Sequence, residues 1–192
     1  MPPNVRLNRV FCLEESVWGD ESLTDRASVL PTLELLHRSQ QIERFVHRHV
    51  LGDRDFENYL SWRAEPKLRT YGTIYLAFHG RPEGLCVGAA EPYSLDQLAA
   101  MVGSLPGGVV HLGSCSILQD NEEDASRFLK STGARLISGY ESDVAWLDSA
   151  ALDTAWLGYI ATYARLGDAE RWFRQRYRSL IDHLRWKAIR AM

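Results

Sequence analysis

The sequence predicts an α/β fold, one domain over residues 1–192 with a mostly parallel central sheet of about six strands and helices on both faces. Three observations carry that expectation. Short apolar runs alternate with helical patterns from end to end, as in strand–helix–strand units joined by right-handed crossovers. Two of those runs, 71–78 (Tyr-Gly-Thr-Ile-Tyr-Leu-Ala-Phe) and 109–113 (Val-Val-His-Leu-Gly), are apolar on both faces, the mark of strands covered on both sides. The 192 residues, 45% of them hydrophobic, suffice for one sizeable core, and no linker divides them.

The elements follow in order. Residues 5–13 alternate as a first strand. Residues 28–39 carry Val29, Leu30, Leu33, Leu35 and Leu36 at helical spacing, with Ser28 and Pro31 as entry signals. A second strand is expected over 42–50 and a helix over 53–62, with Phe56, Tyr59 and Leu60 on one face. After the apolar run 71–78, residues 85–89 and Glu91-Pro92 form a hairpin excursion. Residues 94–102 are a short helix in which Ser94 and Gln97 make a capping box. The apolar run 109–113 comes next, then a helix over 121–131 ending near Gly133 and a strand over 135–139. Helices over 150–163 and 168–190 close the chain. The last is a single amphipathic cover helix, with Phe173, Tyr177, Leu180, Ile181, Leu184 and Ala188 on one face and Arg171, Arg174, Arg178 and Arg185 on another.

Composition excludes several function classes. Lys and Arg number 22 against 25 acidic residues, a net charge of −3, without the basic excess of a general nucleic-acid binder. Three widely spaced cysteines (Cys12, Cys86, Cys115) with no CxxC pair argue against a disulfide scaffold or a structural zinc site. The start, Met-Pro-Pro-Asn-Val-Arg, has no apolar leader, and no apolar run reaches membrane-spanning length. A cytoplasmic protein with no membrane or nucleic-acid partner is the expectation. Neither GxGxxG nor a Walker P-loop is present, which weighs against a nucleotide enzyme, and the Gly-x-Ser-x-Gly elbow of α/β hydrolases is missing too. Charge is uneven along the chain: residues 91–155 hold ten acidic residues against Arg127, Lys130 and Arg135, while 165–192 hold eight basic against three acidic. Two solvated faces of opposite sign account for this; an acidic mouth that attracts cationic ligands is the functional alternative.

The chemistry concentrates where the two doubly apolar strands stop. One runs straight into His79-Gly80 and the other into Ser114-Cys115-Ser116. Both ends fall at the carboxyl edge of the inferred sheet, where open parallel sheets bind ligands. If the two strands are neighbours joined by the 94–102 helix, imidazole and thiol stand side by side. A thiol that passes its proton to imidazole becomes a thiolate able to attack a carbonyl carbon. Gly80 and Gly113 leave room for a substrate backbone, and backbone N–H groups there are suited to hold an oxyanion. The structural alternative is a buried, inert cysteine and a histidine that serves a local hydrogen bond.

The blocks Leu76-Ala77-Phe78-His79-Gly80 and His111-Leu112-Gly113-Ser114-Cys115-Ser116 resemble those of the caspase-like (clan CD) cysteine peptidases, the group of caspases, metacaspases, gingipains, separase and the bacterial CHAT-type proteases. The look is closest to the CHAT and separase branch, and residues 84–87 resemble the glycine-bearing strand that commonly follows the histidine. The resemblance runs from about residue 5 to 157, on short motifs. It implies a caspase-like domain in which Cys115 is the nucleophile, His79 the general base and acid, and the N–H groups of Gly80 and Cys115 the oxyanion donors, with no cofactor and no metal. Caspases proper carry Gln two residues before the nucleophile; Gly113 stands there in this chain, so a caspase-type aspartate pocket does not carry over.

In several of these relatives the loop after the next strand helps build the pocket for the residue preceding the scissile bond, P1. Here that loop reads Glu141-Ser142-Asp143-Val144-Ala145-Trp146, which makes Asp143 the pocket floor and Tyr140 and Trp146 its walls, for a basic P1. A turn-capping Asp143 and a core Trp146 are the equally supported alternative. Residues 117–124 are too short for a maturation linker, so the expectation is a single chain controlled by a partner protein or a ligand instead of by cleavage. A catalytically silent caspase-like scaffold is the competing function. The prokaryotic setting of regulated proteolysis or defence and cell death enters by analogy alone.

The remaining polar residues suggest less. Cys12 and Cys86 are expected in the core. His111, four residues before Cys115 and roughly 13 Å back by strand rise, is too distant to be the base. His47 and His49 share a strand face and two such histidines can ligate a metal, but no carboxylate or cysteine completes the set, so a surface or core role is expected. Glu14 and Glu15 follow the first strand at the same edge, equally suited to line the cleft or to enter a helix.

Overall fold

The computed structural model describes residues 5–16, 27–88 and 91–191. Residues 1–4 at the start of the chain and Ala89 of the expected hairpin excursion lie outside them. In chain order the elements are β1 (Arg6–Glu15), α1 (Leu30–Arg38), β2 (Arg44–Val50), α2 (Asp53–Trp62), β3 (Tyr71–Ala77), a short hairpin of β4 (Gly80–Arg81) and β5 (Gly84–Leu85), then α3 (Leu95–Val102), β6 (Val109–Leu112), α4 (Glu122–Thr132), β7 (Leu136–Tyr140), α5 (Trp146–Thr162), α6 (Leu166–Arg176), α7 (Arg178–Leu184) and β8 (Trp186–Arg190).

Six strands form one sheet in the order β2-β1-β3-β6-β7-β8, parallel except for β8, which runs antiparallel to β7. Strand parity divides the core. Phe11, Leu13, Ile74, Leu76, Val110 and Ile137 pack on one face with Phe56, Leu98 and Phe128 of α2, α3 and α4. Val10, Cys12, Tyr75, Val109 and Leu136 point to the other, against α1, α5, α6 and α7. Every residue of β3 and β6 is buried, which is why those two strands lack an apolar–polar alternation. The α/β class and the single sheet flanked by helices are as the sequence predicts. Among the described residues no helix is long and apolar enough to cross a membrane.

Local signals place the helices that carry the crossovers. Ser94 Oγ accepts from Gln97 N–H and Gln97 Oε1 accepts from Ser94 N–H at 2.8 Å, the expected capping box that starts α3 on the way from β3 to β6. Glu122, Glu123 and Asp124 sit in the first turn of α4, where they oppose the positive end of the helix dipole, and Gly133 ends it at φ 73°.

The C-terminus departs from expectation. Residues 168–190 are not one cover helix but α6, α7 and an edge strand. The predicted apolar face is real, since Phe173, Ile181 and Leu184 are buried. The helix breaks at Tyr177, and Arg185, in the left-handed region at φ 50°, turns the chain into β8. The physical reason lies in another element: without β8 the backbone of β7 would be an unpaired sheet edge. Pairing Trp186 with Tyr140 and Arg190 with Leu136 satisfies it, a demand that helical periodicity does not register.

Candidate active site and the chain's family

β3 and β6 are adjacent, with Leu76 level with Leu112, so the segments leaving them emerge together at one edge. His79 is exposed and Cys115 half-buried, and both line one pocket of about 180 Å³. Gly80 explains how closely the two segments approach: a Cβ there would fall 2.5 Å from Cys115 O and 2.9 Å from Ser114 Cβ, so any side chain would push the histidine segment off the cysteine segment. Glu15, one strand over, fixes the histidine from behind by accepting from His79 N–H at 3.0 Å. His79 O in turn accepts from Cys86 N–H at 2.9 Å, which ties the segment to the β4–β5 hairpin. Cys86 is half-buried beside the site instead of in the core, and burial raises its thiol pKa.

The turn carrying Cys115 is equally constrained. Ser116 follows in a left-handed conformation, φ 55°, uncommon for a residue with a side chain. Three bonds hold it there: Ser116 N–H donates to Ser142 O at 3.0 Å, Ser116 Oγ donates to Asp143 Oδ1 at 2.8 Å, and Val144 N–H donates to Cys115 Sγ at 3.4 Å.

Of the residues expected around the substrate pocket, Gly113 and Trp146 line it; Asp143 and Tyr140 do not. Asp143 is exposed and holds the Cys115 turn through Ser116. Tyr140 is fully buried, its hydroxyl donating to Asp153. The carboxylate that reaches the pocket is Asp153, from α5. It is 2% exposed and anchors a buried network: Tyr75 OH donates to Oδ2 at 2.7 Å, Tyr140 OH donates to Oδ1, and His111 Nε2 lies 2.7 Å from Oδ1. The other nitrogen of His111 lies 3.0 Å from Ser138 Oγ, which also accepts from the Trp156 indole at 2.9 Å. Burial and the neighbouring Asp153 charge push the pKa of Tyr75 and Tyr140 well above the ordinary tyrosine value, so both stay proton donors. His111 is thus a structural partner of Asp153. Asp153 is one of two aspartates in α5, and its one sequence signal is that it falls among the positions the helix buries, beside Leu152, Trp156 and Leu157.

Two histidines also require correction. His47 and His49 were expected to lack a carboxylate, yet Glu14 of the adjacent strand stands between them, and their ligand atoms all lie within 4.8 Å of one another. Among the described residues these three are the ones that could hold a metal ion.

A family model matches residues 8–188, nearly the whole chain. The chain belongs to DUF6642, a family of unknown function. No curated protein matches it. Membership in DUF6642 therefore brings no activity with it, and the chemistry rests on the geometry of Cys115, His79 and Asp153.

Proposed function

We propose that this DUF6642 chain is a caspase-like cysteine endopeptidase that cleaves after Arg or Lys. The observation that carries the reading is the joint lining of one pocket by Cys115 and His79, at the ends of adjacent parallel strands. His79 takes the Cys115 thiol proton, and the thiolate adds to the scissile carbonyl. The tetrahedral oxyanion sits against the N–H groups of Gly80 and Cys115. Collapse breaks the C–N bond as His79 returns its proton to the leaving amine. Water, deprotonated by the same imidazole, then hydrolyses the thioester and releases the carboxylate product and the thiol.

A basic P1 side chain is supported by Asp153 in the pocket lining. Its two oxygens offer about four acceptor positions, of which Tyr75, Tyr140 and His111 occupy three. Val29, Phe78, Val144, Trp146 and Ala150 give the lining a largely apolar character, and Asp153 is its one carboxylate, so a substrate cation is best paired there. Asp143 acts in this reading on the nucleophile turn instead of on P1. Control falls to a partner protein or ligand, and the free cysteines suit a cytoplasmic location.

Digestion of a proteome-derived peptide library, read by mass spectrometry beside Cys115→Ala, tests the proposal. Cuts after Arg and Lys that vanish in the variant are expected. Cuts that persist in Cys115→Ala overturn the mechanism. No cuts from either protein, together with a Cys115 that resists alkylation, overturn the peptidase and favour a scaffold.

A further inference from the structure

Glu14 is a carboxylate with no solvent exposure, and two imidazoles converge on it from the neighbouring strand. The register of β1 and β2 pairs Glu14 with His49, and His47 lies two residues back on the same face of β2. His47 Nε2 is 2.6 Å from Glu14 Oε2 and His49 Nδ1 is 3.9 Å from the same oxygen. We propose that Glu14, His47 and His49 bind a zinc-class divalent transition ion.

The donor chemistry selects the class. Two imidazole nitrogens and one carboxylate oxygen suit zinc and its first-row neighbours, whereas magnesium and calcium take all-oxygen sets. Spacing agrees. A tetrahedral ion with bonds of roughly 2.0–2.1 Å keeps its ligand atoms about 3.4 Å apart. To meet it, the Glu14–His47 pair opens from 2.6 Å, His49 closes from 3.9 Å, and the set draws in from its spread of up to 4.8 Å. The carboxylate is already oriented: Val29 N–H donates to Oε1 at 2.7 Å and Ser28 Oγ donates to Oε2 at 2.8 Å, the kind of support that hydrogen-bond donors behind a metal ligand give it. A plain Glu14–His47 pair would account for one imidazole. It leaves unexplained why the half-exposed His49 ring stands edge-on to His47, 4.8 Å between centroids, with its nitrogen turned to the same carboxylate. That half-exposed side leaves the fourth coordination position to water or an incoming ligand.

The site lies at the carboxyl edge that also holds Cys115. The next residue, Glu15, holds the His79 amide, so the ion is seated one strand from the dyad. Because a reactive thiol also takes zinc, the test uses chelator-stripped Cys115→Ala protein. Zinc is titrated in competition with a chromophoric chelator, and cobalt(II) is added separately for its visible spectrum. One equivalent of zinc and tetrahedral cobalt bands are expected, with affinity reduced at least about tenfold in Cys115→Ala/His49→Ala and circular dichroism unchanged. Binding that is not saturable at one equivalent, equal affinity with and without His49, or a preference for magnesium overturns the site. Peptidase activity is not read, so this result and that of the peptide digest are independent.

Discussion

A Cβ on Gly113 would lie 2.9 Å from Asp153 Oδ2 and 2.8 Å from Tyr75 Cε2. The buried carboxylate therefore meets the pocket beside Cys115 only because residue 113 has no side chain. Gly113→Ala should displace Tyr75 or Asp153, cost about 1–3 kcal/mol of stability by overpacking and reduce cleavage after Arg and Lys at least tenfold. Wild-type kcat/KM on an arginyl substrate, in a protein with the expected drop in Tm, would exclude this route to the carboxylate.

Asp143 makes a different prediction. It holds Ser116 left-handed directly after Cys115, the proposed nucleophile. Asp143→Ala should lower kcat by about tenfold, the cost of a misplaced nucleophile, while the ratio of Arg to Lys to neutral P1 cleavage stays as it was. A changed ratio would return Asp143 to the pocket floor.

The three thiols should react in an order set by burial and by His79. Cys12 is fully buried and its pKa is raised well above the ordinary thiol value by desolvation, so iodoacetamide should spare it until the protein unfolds. Cys115 should alkylate first, and His79→Ala should slow it roughly tenfold or more. Equal Cys115 rates in the two proteins, measured by peptide mapping, would mean that the imidazole does not activate the sulfur.

Alkaline pH should unfold the protein through Tyr75 and Tyr140. Their folded pKa values are raised, by burial first and then by Asp153, above the ordinary 10. The unfolded chain therefore releases these protons before the folded one does. The stability they contribute is complete below about pH 10 and is lost as pH rises through the folded values. Denaturant titrations from pH 8 upward should show that decline, and it should be shallower in Tyr75→Phe. An identical slope in wild type and variant would refute the assignment.

The edge strand supplies a prediction about stability. Trp186 is 3% exposed and packs against Trp156 and Phe173, with ring centroids 4.8 and 4.9 Å away. Trp186→Ala should cost about 3–5 kcal/mol, read as a lower denaturant midpoint. A loss below 1 kcal/mol would mean that β8 is not anchored by this contact.

Periodicity and end signals make most of the fold legible in the sequence. The doubly apolar runs identified β3 and β6, because burial on both faces leaves no alternation to hide them. The Ser94–Gln97 box and Gly133 marked helix ends because capping is a local hydrogen-bonding event. The positions of His79 and Cys115 at strand ends were visible for the same reason. Three features were not, and each depends on a partner distant along the chain. β8 forms where a helix was expected because the edge of β7 needed pairing. Asp153 reaches the pocket because α5 packs its buried carboxylate beneath Gly113, 40 residues earlier in the sequence. Glu14 completes the His47–His49 pair because β1 and β2 are neighbours in a given register. Local propensity settles which segments are strands and helices; which side chains share a site is settled only when the sheet order brings distant strands together.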